Sequence, residues 1–354
     1  MNVIDALAVV LVVFAAIAGH RSGALPQLGG ILGAVAVGEM IGSGLGGAAG
    51  RSLGRGVLST VDRGAGMVVG VAQALLILWL AGGLLAVGPL PRISSQVQTS
   101  TAIRALTAIL PPPVEFADGL SRLLDASGLP DVFVGLEPPP AENIQRPSDP
   151  QAERIAHAAI ASTARIAARA CGASLSGTGF VVAAGYLVTN AHVVAGSDRV
   201  RVVLGQDVFD AKVVMFDPEL DIAVIRAPDV RAPALRFAAR DPGRGTGAAA
   251  IGYPEAGPLS VVAAAVAADY LAIGRDIYGR GRIRREILEL RADIQQGDSG
   301  GPLVLPDGTV GGVVFAESRT EPDVGYALAP VPVSIAVEAV LGRTAAVGTG
   351  KCAR

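Results

Sequence analysis

Hydrophobic positions change their spacing twice along the chain, near residue 90 and again near residue 150. Up to residue 90 apolar residues run almost without interruption. The stretch Val3 to Gly19 (VIDALAVVLVVFAAIAG) just reaches the length of about 20 residues that a membrane-spanning helix needs. A second apolar segment runs from about Ala24 to Gly50, and a third from Gly64 to Gly88 around AQALLILWLAGGLL. The pattern predicts an N-terminal all-α membrane region over 1–90 with about three transmembrane helices, four if the second segment is two fused. Between 91 and 150, QVQTSTAIRALTAIL and VEFADGLSRLLDASGLP carry helical periodicity, and GLEPPPAENIQRPSDP is a polar, Pro-rich linker. From 151 to 354 the chain turns to short β-branched runs, among them GTGFVVAAGYLVTN, DRVRVVLG, AKVVMFD, DIAVIRA, GAAAIGY and VGYALAP. Gly, Pro or Asp separates them. That spacing predicts an all-β sandwich or barrel.

Charge refines the membrane part. Its formal charges are only Asp5, Arg21, Glu39, Arg51, Arg55, Asp62 and Arg63. No Lys or Arg precedes the first apolar run, so it reads as a retained helix and not as a signal peptide. Arg51, Arg55 and Arg63 place the loop between the second and third segments in the cytoplasm, and everything after residue 90 outside. Gly38, Gly42, Gly46 and Gly50 line one helix face at four-residue spacing, a pattern suited to helix–helix association in the bilayer. Glu39 in the same segment is costly in lipid and should face a partner or water. Over the whole chain the formal charge is −2, which gives no sign of a nucleic-acid partner. There is no metal-ligand cluster and no nucleotide loop, so no cofactor is expected.

The chemistry concentrates in IQQGDSGGPLVLPDG, which sets Ser299 between an aspartate and two glycines ahead of a hydrophobic strand. Glycines together at that place cost backbone entropy and point to a tight turn with exposed N–H groups. A serine hydroxyl becomes a nucleophile only beside a base, usually histidine, which in turn needs an orienting carboxylate. Of three histidines, His20 lies beside the first apolar segment and His157 in a helix-like stretch. His192, in YLVTNAHVVAG at the end of an apolar strand, is the candidate base. Asp221 leads directly into the apolar run IAVI, an unusual place for a charge without a partner, and is the candidate carboxylate. Asp207, Asp210 and Asp217 have polar or turn settings.

In this order TNAHVV, DIAVI and GDSGGPL resemble the three catalytic blocks of chymotrypsin-fold serine proteases such as trypsin and the HtrA family, over about Ser162 to Leu341. The whole layout is similar to the family of mycobacterial acid-resistance periplasmic proteases, which carry a membrane region like the colicin V production proteins. SGLPDVF and the closing VGTGKC also resemble that family. The resemblance implies two six-stranded β-barrels of chymotrypsin type, His192 and Asp221 on the first and Ser299 on the second. It implies backbone N–H groups of Gly297 and Ser299 as the oxyanion donors. Asp293, six residues before Ser299, matches the aspartate at the base of the trypsin pocket, whereas HtrA-type pockets near this position are apolar. The chain's two cysteines, Cys171 and Cys352, bracket the soluble domain, and the resemblance supports a disulfide between them. The reading is therefore a membrane-anchored serine endopeptidase acting on periplasmic or cell-wall proteins, in acid or oxidative stress resistance. A silent peptide-binding or sensor domain, and a membrane scaffold with an accessory protease, are the alternatives.

Overall fold

The computed structural model describes residues 2–22, 57–86, 96–110, 132–133, 141–142, 144–170, 172–318, 321 and 323–353. The chain divides into two compact units, Met1–Asp125 and Ala126–Arg354.

In the first unit two apolar helices, α1 (Val3–Ser22) and α2 (Val57–Ala86), pack together with a short third, α3 (Thr101–Ile109). Asp5 explains how a carboxylate fits here. It is buried, and its Oδ1 accepts from Ser100 Oγ at 2.7 Å and from the Ala102 N–H at 3.0 Å, which holds the start of α3. Ser100 in turn caps α3 through the Ile103 N–H. The expectation of three or four membrane-spanning helices is not met among the described residues, where no helix is long and apolar enough to cross a membrane. The second apolar segment, with Gly38, Glu39, Gly42, Gly46 and Gly50, lies outside the described residues.

The second unit opens with α4 (Asp149–Ile160) and then folds into two closed antiparallel barrels. Barrel 1 contains β1 (Thr163–Ala170), β2 (Ala173–Ala183), β3 (Tyr186–Thr189), β4 (Ser197–Leu204), β5 (Asp207–Asp217) and β6 (Ile222–Arg226), in the order β1-β2-β3-β6-β5-β4. Barrel 2 contains β7 (Gly247–Gly252), β8 (Ser260–Gly274), β9 (Ile283–Arg291), β10 (Pro302–Val304), β11 (Val310–Glu317) and β12 (Val324–Leu328), in the order β10-β11-β12-β9-β8-β7. Closure leaves no free sheet edge. The apolar run GTGFVVAAGYLVTN is two strands, because Gly185 (φ 72°) turns the chain between β2 and β3. A one-turn helix α5 (Ala191–Val194) follows β3, and α6 (Pro330–Glu338) follows β12.

Successive side chains of a strand point to opposite faces. Accordingly Ile166, Val181, Leu187, Val202 and Ile225 fill barrel 1, while Val266, Leu288, Leu290 and Leu303 fill barrel 2. The alternate positions Phe180, Val188 and Val224 join Phe315, Val313 and Leu328 in a third core. Strands buried on both faces read in sequence as unbroken apolar runs such as IAVI. Val132, ahead of the barrels, belongs to that third core, and Phe133 packs edge-on against Tyr270 and Tyr326. Ala141 donates its N–H to the buried Glu289 carboxylate at 2.8 Å.

Candidate active site

At the rim of barrel 1, α5 starts directly after β3 and carries His192. Asp221 stands one residue before β6 with φ 61°, a left-handed backbone that a Cβ disfavours. The Asn190 side-chain amide donates to the Asp221 carbonyl at 2.8 Å and fixes that conformation. The carboxylate is fully buried and engages His192 twice. Oδ1 accepts the His192 N–H at 3.0 Å, and Oδ2 lies 2.8 Å from Nδ1. A carboxylate can only accept, so the Nδ1 proton belongs in this bond and Nε2 is left with its lone pair as an acceptor.

On barrel 2 the turn between β9 and β10 carries Ser299, which is buried, with Oγ 3.5 Å from the Phe315 carbonyl. Glycine is required twice here. Gly297 (φ 104°) sits where a Cβ would strike the Tyr253 carbonyl, and Gly300 (φ 86°) where it would strike the Thr178 carbonyl and Thr189 Oγ1. The N–H groups of Asp298, Gly300 and Gly301 are taken by the carbonyls of Gln295, Val314 and Asp298, at 3.1, 2.8 and 2.9 Å. Among the described residues those of Gly297 and Ser299 have no acceptor.

Thr178, between the two glycines of the GTGF block, ties this turn to barrel 1. Its N–H donates to the Ser299 carbonyl at 2.8 Å and its Oγ1 to the Gly297 carbonyl at 2.7 Å, while Oγ1 accepts the Tyr253 N–H at 3.0 Å. The Thr178 carbonyl accepts Thr189 Oγ1 at 2.6 Å. The Ser299 turn thus packs on the end of β3, where Thr189 stands three residues before His192. Among the described residues His192 and Ser299 share no hydrogen bond.

Around the turn the charges are acidic. Asp298 is 3 % exposed; burial pushes its carboxyl up to about 6, against the pull of the Gln295 N–H and with the charge of Asp293 adding to the rise. Its Oδ2 accepts that N–H at 2.9 Å, and Oδ1 has no hydrogen-bond partner among the described residues. Glu317, at the end of β11, is also pushed up, by burial first and then by Asp293. Asp293 is exposed and lines a cavity of about 390 Å³ with Gln295, Asp298, Arg146 and Pro147. Cys352 is disulfide-bonded, and Cys171 lies outside the described residues. His157 is exposed on α4.

The sequence reading did not single out Thr178, Asn190, Phe315 or Glu317. For the first two a signal was present, in GTGF and in the residue two before His192. Phe315 acts through a carbonyl, which no side-chain pattern marks.

Residues 177–313 match the family model described as trypsin-like peptidase domain. The chain is 35% identical over 299 residues to serine protease Rv3671c of Mycobacterium tuberculosis, an alignment covering 80% of this chain and 74% of that protein. A probable periplasmic serine endoprotease DegP-like of Chlamydia trachomatis is 35% identical over 148 residues, covering 40% of this chain and 28% of that one. Among solved structures, the active form of the Rv3671c protease from M. tuberculosis matches with a TM-score of 0.59 at 35% identity, covering 63% of this chain and 100% of that chain.

Proposed function

Given that this chain belongs to the trypsin-like serine proteases and is a serine endopeptidase, we propose that Ser299, His192 and Asp221 form its catalytic triad. The observation that carries this is the double grip of the buried Asp221 carboxylate on His192, at 3.0 and 2.8 Å. In this reading His192 Nε2 takes the Ser299 proton as Oγ attacks the peptide carbonyl. The negative charge that develops on the carbonyl oxygen is received by the N–H groups of Gly297 and Ser299, each donor typically worth about 3 kcal/mol of barrier. His192 then gives the proton to the leaving amine, and water, activated by the same imidazole, releases the acyl group from Ser299.

Asp293 and Glu317 are the proposed specificity residues. Glu317 lies two positions along β11 from Phe315, whose carbonyl meets Ser299 Oγ, and it feels the charge of Asp293. Two carboxylates at that place favour Arg or Lys at the cleaved bond. The proposed cellular setting is the outer side of the cytoplasmic membrane, with periplasmic or cell-wall proteins as substrates. Support for attachment to a membrane is the exposed apolar surface of the first unit: Leu7, Val10 and Phe14 on α1 are 59%, 64% and 70% exposed. A part in acid or oxidative stress resistance rests on the family resemblance, as does the proposed Cys171–Cys352 pairing.

A serine-reactive fluorophosphonate tests the reading. The full chain should label, and Ser299→Ala and His192→Ala should not. Labelling that persists in Ser299→Ala would place the nucleophile elsewhere.

A further inference from the structure

We propose that Arg285 is a positioning residue for the His192–Asp221 pair, set on barrel 2 and acting on the carboxylate-bearing turn of barrel 1. The inference rests on the triad reading above. Arg285 lies on β9, paired with Ala272 of β8, and is 3 % exposed. Its Nε–H donates to the Glu219 carbonyl at 2.5 Å, two residues ahead of Asp221. Nη1 and Nη2 are buried without a hydrogen-bond partner among the described residues.

A guanidinium buried with most of its donors unused is expensive unless nearby charge compensates it. Burial pulls its pKa down, and the carboxylates that oppose this are Asp221 first, then Asp276, Asp217 and Glu219. Three of the four are less buried than Asp221, and two of these are bound locally. Asp276 accepts the Tyr278 and Arg280 N–H groups at 3.0 and 2.7 Å, with the Arg280 guanidinium at 3.3 Å. Asp217 Oδ1 caps the turn by accepting the N–H groups of Glu219 and Leu220. Glu219 is exposed. Asp221 is fully buried and shares its low-dielectric setting with Arg285.

Barrel 2 grips the same turn a second time, where the Ile277 N–H meets the Pro218 carbonyl at 3.2 Å. Two consecutive carbonyls ahead of Asp221 are therefore held from the barrel that carries Ser299. Arg285 acts on this turn in two ways: its Nε–H sets where Asp221 stands, and its charge faces that carboxylate.

The two effects separate in the full-length chain with a fluorogenic peptide chosen by library screening on the wild type. Arg285→Met removes both. With that positive charge gone, a positive charge on the imidazole is opposed less, so the acid limb of kcat/KM moves to higher pH. The turnover number kcat falls about tenfold or more at unchanged KM, as expected for misplaced catalytic groups. Arg285→Lys keeps the charge and loses the Nε–H bond, so its acid limb stays in place while kcat falls. A folded Met variant with wild-type limb and kcat overturns the proposal. Where the Met variant does not fold, a Lys variant with wild-type kcat overturns it. Ser299→Ala run alongside keeps the two readings apart: turnover in that variant sinks the triad, whereas wild-type behaviour of the Arg285 variants beside a dead Ser299→Ala sinks only this inference.

Discussion

Thr178 Oγ1 donates to the Gly297 carbonyl at 2.7 Å, and the Thr178 N–H donates to the Ser299 carbonyl at 2.8 Å. One residue of barrel 1 thereby holds both ends of the turn on which Ser299, the proposed nucleophile, sits. Thr178→Val keeps the shape but strands the Gly297 carbonyl and the Tyr253 N–H, each buried orphan costing about 1–3 kcal/mol. We expect a lower melting temperature and a fall in kcat of about tenfold or more, because the proposed oxyanion donors ride on this turn. Thr178→Ser should recover most of both. Wild-type turnover in a folded Val variant would mean that the turn stands without this latch.

Asp221→Asn tests the role of the buried carboxylate. Its amide can donate to His192 Nδ1, which puts the ring proton on Nε2 and removes the base. Steady-state hydrolysis should fall about 10⁴-fold with the fold intact. Fluorophosphonate labelling should slow in parallel. A loss of less than about tenfold would detach Asp221 from the chemistry.

Asp298 predicts an unusual pH dependence of stability. Its carboxyl is at about 6 in the folded chain, above its ordinary value of 3.8, so the folded state holds a proton that the unfolded chain has released. Its contribution is greatest below about pH 4 and is lost as pH rises through about 6. Relative to Asp298→Asn, the wild type should therefore gain stability on acidification from about pH 7 to about pH 4. The gain is on the order of 3 kcal/mol at most. Denaturant midpoints of both proteins across this range measure it; parallel curves would show that Asp298 does not titrate there.

These residues also mark what the sequence could convey. An all-β sandwich or barrel was legible because many strands are buried on both faces, so IAVI and LVLP stand out as apolar runs between turn residues, whereas the division into two barrels came from the family resemblance. The far end of β8 was not, since Asp269 and the alternating exposure of Tyr270 to Gly274 break the apolar pattern. His192, Asp221 and Ser299 were legible through their rare neighbours: a histidine at a strand end, an acid before an apolar run, a serine among glycines. Arg285 carries no such mark. It sits 64 positions from Asp221 in the chain, and its importance comes only from the way β9 meets the turn before β6. Asn190 and Thr178 act likewise through backbone carbonyls, and only their places in TNAHVV and GTGF mark them.

The proposed acidic pocket is tested by peptide-library profiling. Asp293→Ala should cut kcat/KM for peptides with Arg or Lys at the cleaved bond by about tenfold and leave apolar peptides nearly unaffected. Glu317→Gln should act in the same direction. A preference for Leu or Phe in the wild type that persists in Asp293→Ala would remove both residues from specificity.

The C-terminal tail supplies the last prediction. It lies along barrel 1, where Gly196 donates its N–H to the Thr349 carbonyl at 2.9 Å and Val347 donates to the Val213 carbonyl at 2.9 Å. Thr349 Oγ1 adds a bond to the Ser197 carbonyl at 3.1 Å. Gly196 (φ 67°) packs on the backbone of Cys352, and Ala353 reaches the apolar cluster of Ala191, Ala195 and Ile277 that backs His192. A bridge from Cys171 to Cys352 would close a loop of about 180 residues, worth on the order of 5 kcal/mol in the chain-entropy account. That is comparable to the whole stability of many domains, about 5–15 kcal/mol. Cys352→Ser and Cys171→Ser should each lower the melting temperature by many degrees. Both should also weaken hydrolysis, because the released tail no longer supports the helix turn that carries His192. Reductant should reproduce the effect in the wild type and leave the serine variants unchanged. The check is mass spectrometry of the non-reduced chain: a peptide pair linked through these two residues is expected, and free alkylation of both thiols without reductant would end the proposal.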